Sequence, residues 1–224
     1  HDTKGRYQKS LYEKVNVDTT RKLAKISQEK NVKRFIFLSS VKASEIISTN
    51  PRTTGSYGLT KRKAELELKK ISLESEMKIG ILRSCLVYGP NMKGNLLAML
   101  QAVNSGWFPR ITKSDNKKSL IHVDDLAKAL VFLANNHLGQ EPLTITDGRT
   151  YSSKDIYNVF YQNKTESKFD FRISESLFRL ANFFPLLNNK LEKLYGDDLH
   201  NPEEIFNLGF LPEFTLEDFN EKGF

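Results

Sequence analysis

Four polar side chains in one stretch of the sequence have the types and spacing that proton transfer requires. Ser39 and Ser40 follow a short apolar run, and Tyr57 and Lys61 come later, four residues apart. Residues four apart on a helix lie on the same face, one turn from each other. A lysine ammonium beside a tyrosine stabilises the phenolate, so we expect Lys61 to lower the pKa of Tyr57 from ~10. A serine at the end of the preceding strand can hydrogen-bond the oxygen that Tyr57 deprotonates, which suits proton transfer coupled to hydride transfer.

A strand and a helix are predicted to position these side chains. Residues 32–38 have the length and apolar composition of a strand, which ends at the serine pair. Residues 58–74 carry apolar side chains among charged ones and predict a helix that begins next to Tyr57. A polar loop with Pro51 and Gly55 connects the two. The reactive side chains therefore come from two successive elements.

The rest of the chain alternates between helices and strands. Helices are predicted at residues 7–30, 95–105, 126–134 and from 152 or 153 to about 161, and strands at 78–82, 119–123 and 143–146. Asp124 and Asp125 lie where helix N-caps lie. Two strand–helix alternations before residue 105 predict an α/β fold, with a parallel sheet covered by helices. Beyond about residue 94 the helices lengthen and the strands shorten, which indicates a second, smaller lobe.

Two helical stretches carry apolar faces. The helix at residues 7–30 is predicted to be amphipathic, with an apolar stripe formed by Leu11, Val15, Leu23 and Ile26. Residues 177–194 are the most apolar and aromatic part of the chain. We interpret them as a buried helix or a subunit contact, with a helix on a membrane surface as the alternative.

Composition limits the class of protein. The 224 residues are 39% hydrophobic and 27% charged, and no apolar run reaches the ~18 residues of a membrane span. One cysteine excludes an internal disulfide and suits a reducing compartment, so we expect a cytoplasmic protein. The net charge of +7 suits an anionic ligand, but the lysines are scattered and no nucleic-acid-binding motif accompanies them. The four scattered histidines offer no spacing for a metal site.

Four motifs occur together in one order along the chain. They are Ser39-Ser40, Tyr57-Gly58-Leu59-Thr60-Lys61, Leu82-Arg83 with Val87-Tyr88-Gly89-Pro90, and the run from Ser119 to Ala127. A YxxxK pair is expected about once by chance in a lysine-rich chain with several tyrosines, so this pair alone is weak evidence for a family. The ordered set resembles the extended short-chain dehydrogenase/reductase superfamily, in particular the branch of UDP-sugar 4-epimerases and related nucleotide-sugar reductases.

The resemblance implies a Rossmann-like fold of which one part is missing from the sequence. Residues 1–93 would be the C-terminal part of an NAD-binding domain, and residues 94–224 mostly a substrate-binding lobe with segments that return to the sheet. The family normally opens with a strand and a glycine-rich turn that holds the cofactor pyrophosphate. Gly5 is the only glycine in the first forty residues, so we expect about 85 residues of the usual Rossmann half to be absent from this sequence.

The resemblance also implies roles for the side chains that do the chemistry. Tyr57 would be the acid–base group that takes the proton from the sugar 4-hydroxyl. Lys61 would lower the pKa of Tyr57 and hydrogen-bond the nicotinamide ribose. Ser40 would hydrogen-bond the reacting oxygen.

Further residues would bind the cofactor and the substrate. Asn16, Ser84 and Cys85 would line the cofactor pocket together with Ser39, which takes a mainly structural place beside Ser40. For Asn16 a plain polar helix residue is the alternative, and for Cys85 a small buried filler is favoured over a nucleophile. Substrate binding falls on two further residues that would contact the diphosphate, Asn95 and Lys118. For Asn95 a simple helix cap is the alternative.

The predicted function is inversion of C4 in a UDP-hexose or UDP-N-acetylhexosamine, through a 4-keto intermediate and with NAD (or NADP) as cofactor. Two alternatives stay open. One is an NAD(P)H-dependent reductase of a UDP-4-keto-6-deoxy sugar, and the other is a truncated, non-catalytic chain that binds nucleotides or proteins. Family resemblance further implies a homodimer formed through the helices at residues 7–30 and 58–74.

Overall fold

The computed structural model describes residues 9–44, 56–106, 114–136, 141–163 and 196–219. The helices are α1 (Lys9–Tyr12), α2 (Thr19–Glu29), α3 (Ser56–Leu73), α4 (Asn95–Asn104), α5 (Val123–Asn135), α6 (Ser153–Gln162) and α7 (Glu203–Asn207). A π-helical segment, Glu13–Asp18, joins α1 to α2, and short 3-10 turns lie at Val41–Ala43 and Leu216–Asp218. The strands are β1 (Arg34–Ser40), β2 (Lys78–Ser84), β3 (Leu86–Tyr88), β4 (Leu120–His122) and β5 (Leu143–Ile145).

The described strands form two parallel sheets. In the larger one the order is β1-β2-β5, and β1 pairs with β2 over seven residues so that Ser40 lies beside Ser84. The smaller sheet pairs β3 with β4, also in parallel. The carboxyl ends of parallel strands meet at one edge of a sheet, so residues just after β1 and β2 are neighbours. The parallel α/β fold predicted from the sequence is confirmed.

Helices cover both faces of the larger sheet. On one face, α2 and α3 pack on the sheet through a core that contains Ala24, Ala64, Leu68, Ile79 and Ile81. On the other face, α5 and α7 pack on it through a second core, which contains Leu82, Ile121, Leu126, Ile145 and Ile205. The middle of β2, residues 79–82, is buried against both cores, and this is why it reads Ile-Gly-Ile-Leu.

A third core lies in the C-terminal part of the chain. It joins α4, α6 and the smaller sheet to the 3-10 turn at Leu216–Asp218. Its largest fully buried side chains are Tyr88 and Phe160. This core is formed by side chains between residues 88 and 219.

The N-terminal helix does not bury the apolar stripe identified in its sequence. The helical run at residues 7–30 is borne out for residues 9–29, but the side chains it buries are Val17, Thr20 and Ala24. The predicted apolar stripe is exposed instead, with Leu23 and Ile26 both more than half exposed. Small residues let α2 approach α3 closely, so the larger apolar side chains are left facing outward.

Several boundaries also differ from the prediction. Ser39 and Ser40 belong to β1 itself, because β2 continues to Ser84 and offers them pairing partners. Strand β3 lies between the strand predicted at residues 78–82 and the helix predicted at 95–105, where no strand was predicted. The N-cap of α5 is His122, whose ring accepts a hydrogen bond from the Asp124 amide, so the prediction that the two aspartates cap this helix is wrong.

Asp125 has a tertiary role. It is fully buried in the first turn of α5, and its carboxylate accepts hydrogen bonds from the backbone amides of Glu213 and Phe214. Of the two candidate caps for α6, Ser152 is the N-cap, in a reciprocal pair with Asp155. The apolar stretch at residues 177–194 lies outside the described residues. None of the helices described here is long and apolar enough to cross a membrane.

Candidate active site

The position of Tyr57 is set by a tight contact at the start of α3. Tyr57 is the second residue of this helix, and the next residue, Gly58, packs against the 3-10 turn that follows β1. A Cβ atom at residue 58 would lie 2.5 Å from the carbonyl oxygen of Lys42. Only glycine therefore allows the start of α3 to lie this close to the end of β1. The Tyr57 ring also meets the ring of Tyr12 edge-on, with centroids 6.3 Å apart.

Lys61 lies one turn after Tyr57 and points toward β1. Its Nζ atom donates a hydrogen bond of 2.9 Å to the backbone carbonyl of Leu38, two residues before Ser40. The same ammonium lies 4.6 Å from the centroid of the Phe37 ring and 5.9 Å from that of Tyr57. The predicted pairing of Tyr57 and Lys61 on one helix face is therefore present, and it faces the carboxyl end of β1.

The ionisation of this pair differs from the prediction. Burial raises the pKa of the Tyr57 phenol, and the neighbouring Tyr12 raises it further. Burial also lowers the pKa of Lys61, although the carboxylate of Glu65 acts in the opposite direction. The prediction that Lys61 lowers the Tyr57 pKa is wrong for this arrangement, because desolvation dominates and the ammonium is directed to the Leu38 carbonyl.

Ser40 and Ser84 lie side by side at the carboxyl ends of β1 and β2. The Ser40 hydroxyl is largely buried and accepts a hydrogen bond of 3.3 Å from the Lys42 amide, which caps the 3-10 turn. Ser40 is thus joined to the turn on which Gly58 packs. Ser84 is half-buried.

Cys85 follows Ser84 and lies in the core between the sheet and α5. Burial raises the pKa of its thiol well above the usual value, and the charges of Asp147 and Asp198 act in the same direction. The thiol is therefore protonated near neutral pH. This agrees with the interpretation of Cys85 as a small buried filler, favoured over a nucleophile.

Asn16 is linked to Tyr57 through Thr60. Its side-chain amide donates a hydrogen bond of 3.0 Å to the Thr60 hydroxyl, which in turn donates one of 3.0 Å to the carbonyl of Tyr57. Asn16 lies in the π-helical segment, a rare geometry that is frequent at functional sites. The structure thus brings Asn16 to the same end of α3 as Tyr57.

Ser39 has a buried partner that the sequence analysis did not identify. Its hydroxyl donates a hydrogen bond of 2.6 Å to the carboxylate of Glu65, which is 2% exposed. Arg83 on β2 binds the same carboxylate through two hydrogen bonds, of 2.9 and 2.6 Å, and Arg62 adds a third cationic contact at 3.1 Å. Glu65 lies four residues after Lys61 and eight after Tyr57, so their shared helix face was a signal available in the sequence.

The two residues predicted to contact the diphosphate have very different surroundings. Asn95 is the exposed first residue of α4, after Gly94, which has the positive φ of 76° and serves as the N-cap. Lys118 is buried, with its Nζ atom 2.9 Å from the Gly196 carbonyl that accepts its hydrogen bond. Burial lowers the pKa of Lys118, and Asp198 opposes this shift.

Lys118 belongs to a charged cluster that connects the C-terminal segment to the end of β1. Asp198 accepts a hydrogen bond of 3.2 Å from Lys42 and lies 2.7 Å from the ring nitrogen of His200. Burial raises the pKa of Asp198, but the His200 hydrogen bond and the Lys42 charge outweigh it and bring the pKa to about 2. Backbone hydrogen bonds of Asp198 with Lys117 and Ser119 hold the segment in place. Nothing in the local pattern of the sequence indicates this pairing, since Lys42 and Asp198 are 156 residues apart.

A buried carboxyl–phenol pair lies at the end of β5. The Tyr151 hydroxyl donates a hydrogen bond of 2.7 Å to Asp147 and accepts one of 3.1 Å from the Leu216 amide. Burial raises the pKa of Asp147 to about 6, despite the hydrogen bonds from Tyr151 and the Arg149 amide. The pair fastens β5 to the 3-10 turn of the C-terminal core. In the described parts of the chain, no three His, Cys, Asp or Glu side chains are grouped as a metal ion requires.

The donor set fits one half of a dinucleotide cofactor. A phenol, an ammonium and a serine hydroxyl at the carboxyl ends of two parallel strands are groups that can hydrogen-bond a ribose and face a reacting carbon. The 224 residues contain no glycine-rich turn of the type that cradles a pyrophosphate. The residues present therefore fit the nicotinamide-ribose end of NAD.

Comparison with known proteins identifies the family to which the chain belongs. Residues 2–151 match the model of the NAD dependent epimerase/dehydratase family. The chain is similar to UDP-glucose 4-epimerase of Vibrio cholerae, with 30% identity over 158 residues that cover 66% of this chain and 48% of the relative. The chain spans about half the length of the curated relatives it matches.

Solved structures share the fold. UDP-glucose 4-epimerase of Thermotoga maritima, solved with UDP-glucose, has a TM-score of 0.70 at 20% identity, over 94% of this chain and 68% of its own. The Bordetella bronchiseptica enzyme WbmF, solved with NAD+ and UDP, has a TM-score of 0.68 at 17% identity, over 91% of this chain and 61% of its own. The family model matches more than half of the sequence, and the resemblance inferred from the motifs is confirmed. The chain belongs to the NAD dependent epimerase/dehydratase family, whose description states its cofactor, NAD.

Proposed function

We propose that the whole protein inverts C4 of a UDP-hexose or a UDP-N-acetylhexosamine through a 4-keto intermediate. The observation that carries this proposal is the position of Tyr57 and Lys61 on one face of α3, against the carboxyl end of β1. The tight contact between Gly58 and Lys42 supports a fixed geometry for the pair. The similarity to UDP-glucose 4-epimerase of Vibrio cholerae supports the substrate class.

In this reaction Tyr57 takes the proton of the sugar 4-hydroxyl and later returns it to the same oxygen. Ser40 hydrogen-bonds the oxygen at C4 and stabilises it as it changes from alcohol to ketone. A bound NAD would supply the acceptor for the C4 hydride, and return of that hydride to the opposite face of C4 would invert the carbon. Burial raises the pKa of Tyr57, so the site works as a proton acceptor only when positive charge lies close to the phenol.

We assign this charge in the working site to Lys61, whose ammonium is directed to the Leu38 carbonyl in the present arrangement. An ammonium has three N–H donors, and the bond to the Leu38 carbonyl is compatible with a second one to a ribose hydroxyl of the cofactor. Asn16 orients the start of α3 through Thr60. We also place Ser84, Cys85 and Ser39 beside the cofactor, because each of them lies at or next to the end of β1 or β2.

We assign binding of the substrate diphosphate to Asn95 and Lys118. Asn95 lies at the exposed N-terminus of α4, where amide groups and the helix dipole favour a phosphate. Lys118 keeps a positive charge near Lys42, although its bond to the Gly196 carbonyl would have to be shared with the diphosphate. A lysine lacks the bidentate fork of an arginine, so we expect a less directional contact.

The test follows the configuration at C4 and the cofactor balance at the same time. The whole protein is incubated with NAD and UDP-glucose or UDP-N-acetylglucosamine. Proton NMR of the sugar ring reports inversion, and absorbance at 340 nm reports net oxidation or reduction of the cofactor. We expect inversion without net change in NADH.

Other outcomes would contradict the proposal and identify the alternatives. Consumption of NAD(P)H with a UDP-4-keto-6-deoxy sugar would identify a reductase. Binding of UDP without turnover of any of these sugars would identify a non-catalytic nucleotide-binding protein.

We also propose that the protein forms a homodimer through the outer faces of its N-terminal helices. Several large apolar side chains on these helices are exposed; they are Leu11, Val15, Leu23 and Ile26 before β1 and Leu66 and Leu73 on α3. An exposed apolar face of this kind is typical of a subunit contact. Light scattering after gel filtration tests it, and a monomer at all concentrations would contradict it.

A cytoplasmic location is part of the same proposal. The one cysteine of the sequence is buried as a free thiol, which suits a reducing compartment.

A further inference from the structure

We propose that Glu65 is a positioning residue, which fixes the rotation of α3 against β1 and β2 and provides the negative charge that faces the Lys61 ammonium. This inference rests on the proposed function, because its purpose is to hold Tyr57 and Lys61 in a working arrangement. No role was assigned to Glu65 from the motifs.

The first part of the argument is geometric. Tyr57, Lys61 and Glu65 are spaced four residues apart on α3, so they share one face of the helix. Glu65 is the member of the three that is fixed to both strands, through the Ser39 hydroxyl on β1 and the bidentate Arg83 on β2. A bidentate arginine–carboxylate pair fixes orientation as well as distance. Rotation of α3 about its axis would break these bonds and carry Tyr57 away from the strand ends.

The second part concerns the charges around Lys61. On its own helix, Tyr57 and Glu65 face it; from β1 it meets the Leu38 carbonyl and the Phe37 ring. The charged group that acts on Lys61 is the carboxylate of Glu65, which favours the ammonium against the effect of burial. Arg83 on β2 and Arg62 on α3 are bound to the same carboxylate and partly neutralise it.

Stability alone does not explain the ion pair of Glu65 and Arg83. A buried ion pair often contributes little net stability, because desolvation offsets the attraction, and apolar residues of the same volume can replace it. Removal of one partner alone costs more, since a charge is then buried without compensation. The position of this ion pair in the middle of α3 is consistent with a requirement to fix the orientation of the helix and the charge beside Lys61.

The test uses two variants that break the same ion pair but change opposite charges, Glu65→Gln and Arg83→Gln. The pKa of Lys61 is measured by NMR of lysine side chains in the whole protein, with the Lys61 signal assigned by a Lys61→Arg variant. We expect a lower Lys61 pKa in Glu65→Gln, because the negative charge is lost. We expect no lowering in Arg83→Gln, because a neighbouring positive charge is removed. General damage to the structure would move the pKa in the same direction in both.

Ser39→Ala is the matched control, because it removes a hydrogen bond from Glu65 and leaves its charge. It should leave the Lys61 pKa unchanged. If Glu65→Gln does not fold, the double variant Glu65→Gln/Arg83→Gln is compared with Arg83→Gln. These two variants differ only in the Glu65 charge, so the Lys61 pKa should be lower in the double variant. An unchanged Lys61 pKa in folded Glu65→Gln, or an equal fall in Arg83→Gln, would overturn the inference.

Activity gives a second readout. In Glu65→Gln the alkaline limb of kcat/KM should move to lower pH, and kcat should fall about tenfold or more with KM little changed. Glu65→Asp, which keeps the charge, should restore the position of the limb. The NMR measurement needs no turnover, so a failure of the proposed epimerase activity is distinguished from a failure of this inference.

Discussion

A methyl group added at Gly58 should separate the two elements that form the candidate active site. The new Cβ atom would lie 2.5 Å from the Lys42 carbonyl oxygen and 3.1 Å from its carbonyl carbon. Ordinary van der Waals contact begins near 3.4 Å, so the start of α3 or the 3-10 turn must move by roughly 0.9 Å. Displacement of a reacting group by about 1 Å can cost about a hundredfold in rate.

The cost in stability should be small by comparison. Overpacking typically costs about 1–3 kcal/mol, and alanine gains about 1 kcal/mol over glycine inside a helix. We therefore expect Gly58→Ala to lower the free energy of unfolding by at most about 2 kcal/mol, measured in urea, while epimerisation of the UDP-sugar falls by about two orders of magnitude.

Gly209→Ala is the control for this variant. Gly209 has a φ of 97° and open space around its Cα atom, so alanine there strains the backbone without displacing a neighbour. Its activity per folded molecule should stay at the parent value. If Gly58→Ala retains activity within threefold of the parent, the contact with Lys42 does not set the position of Tyr57.

Three further predictions concern ionisable groups whose pKa is shifted by the fold. The pKa of Asp198 is lowered to about 2, so its carboxylate contributes about 2 kcal/mol of stability above pH 4. This contribution is lost as the pH falls from 4 to 2. Asp198→Asn should therefore abolish this pH dependence of the free energy of unfolding in urea. The pKa of Asp147 is raised to about 6, so stability should instead decrease as the pH rises from 4 to 6, and Asp147→Asn should flatten the curve in that window. The Cys85 thiol, with its raised pKa, should react with Ellman's reagent at pH 8 only after unfolding, and rapid labelling of the native protein would contradict its burial.

Local patterns in the sequence were sufficient to predict the helix that carries Tyr57 and Lys61 and the parallel sheet. The four-residue spacing of Tyr57 and Lys61 and the apolar run before Ser39 depend only on helix and strand periodicity, which are properties of neighbouring residues. The parallel arrangement of β1 and β2 follows from the helix between them, because a strand–helix–strand unit has one preferred connection.

Contacts between distant parts of the chain could not be predicted in this way. The spacing of Leu23 and Ile26 predicts an amphipathic helix, but hydrophobicity alone does not tell whether its apolar face is buried or exposed. The pairing of Lys42 with Asp198 depends on how the C-terminal segment returns to the sheet. The direction of the Tyr57 pKa shift depends on burial, which spacing does not report.

The role of Tyr57 is the central claim, and one substitution tests it most directly. Turnover of the UDP-sugar and binding of UDP are measured for Tyr57→Phe in the whole protein, with Tyr161→Phe as a control that removes a phenol from α6. We expect Tyr57→Phe to abolish inversion at C4 while UDP binding stays near the parent value, and Tyr161→Phe to retain both. Inversion at an undiminished rate in Tyr57→Phe would contradict the account.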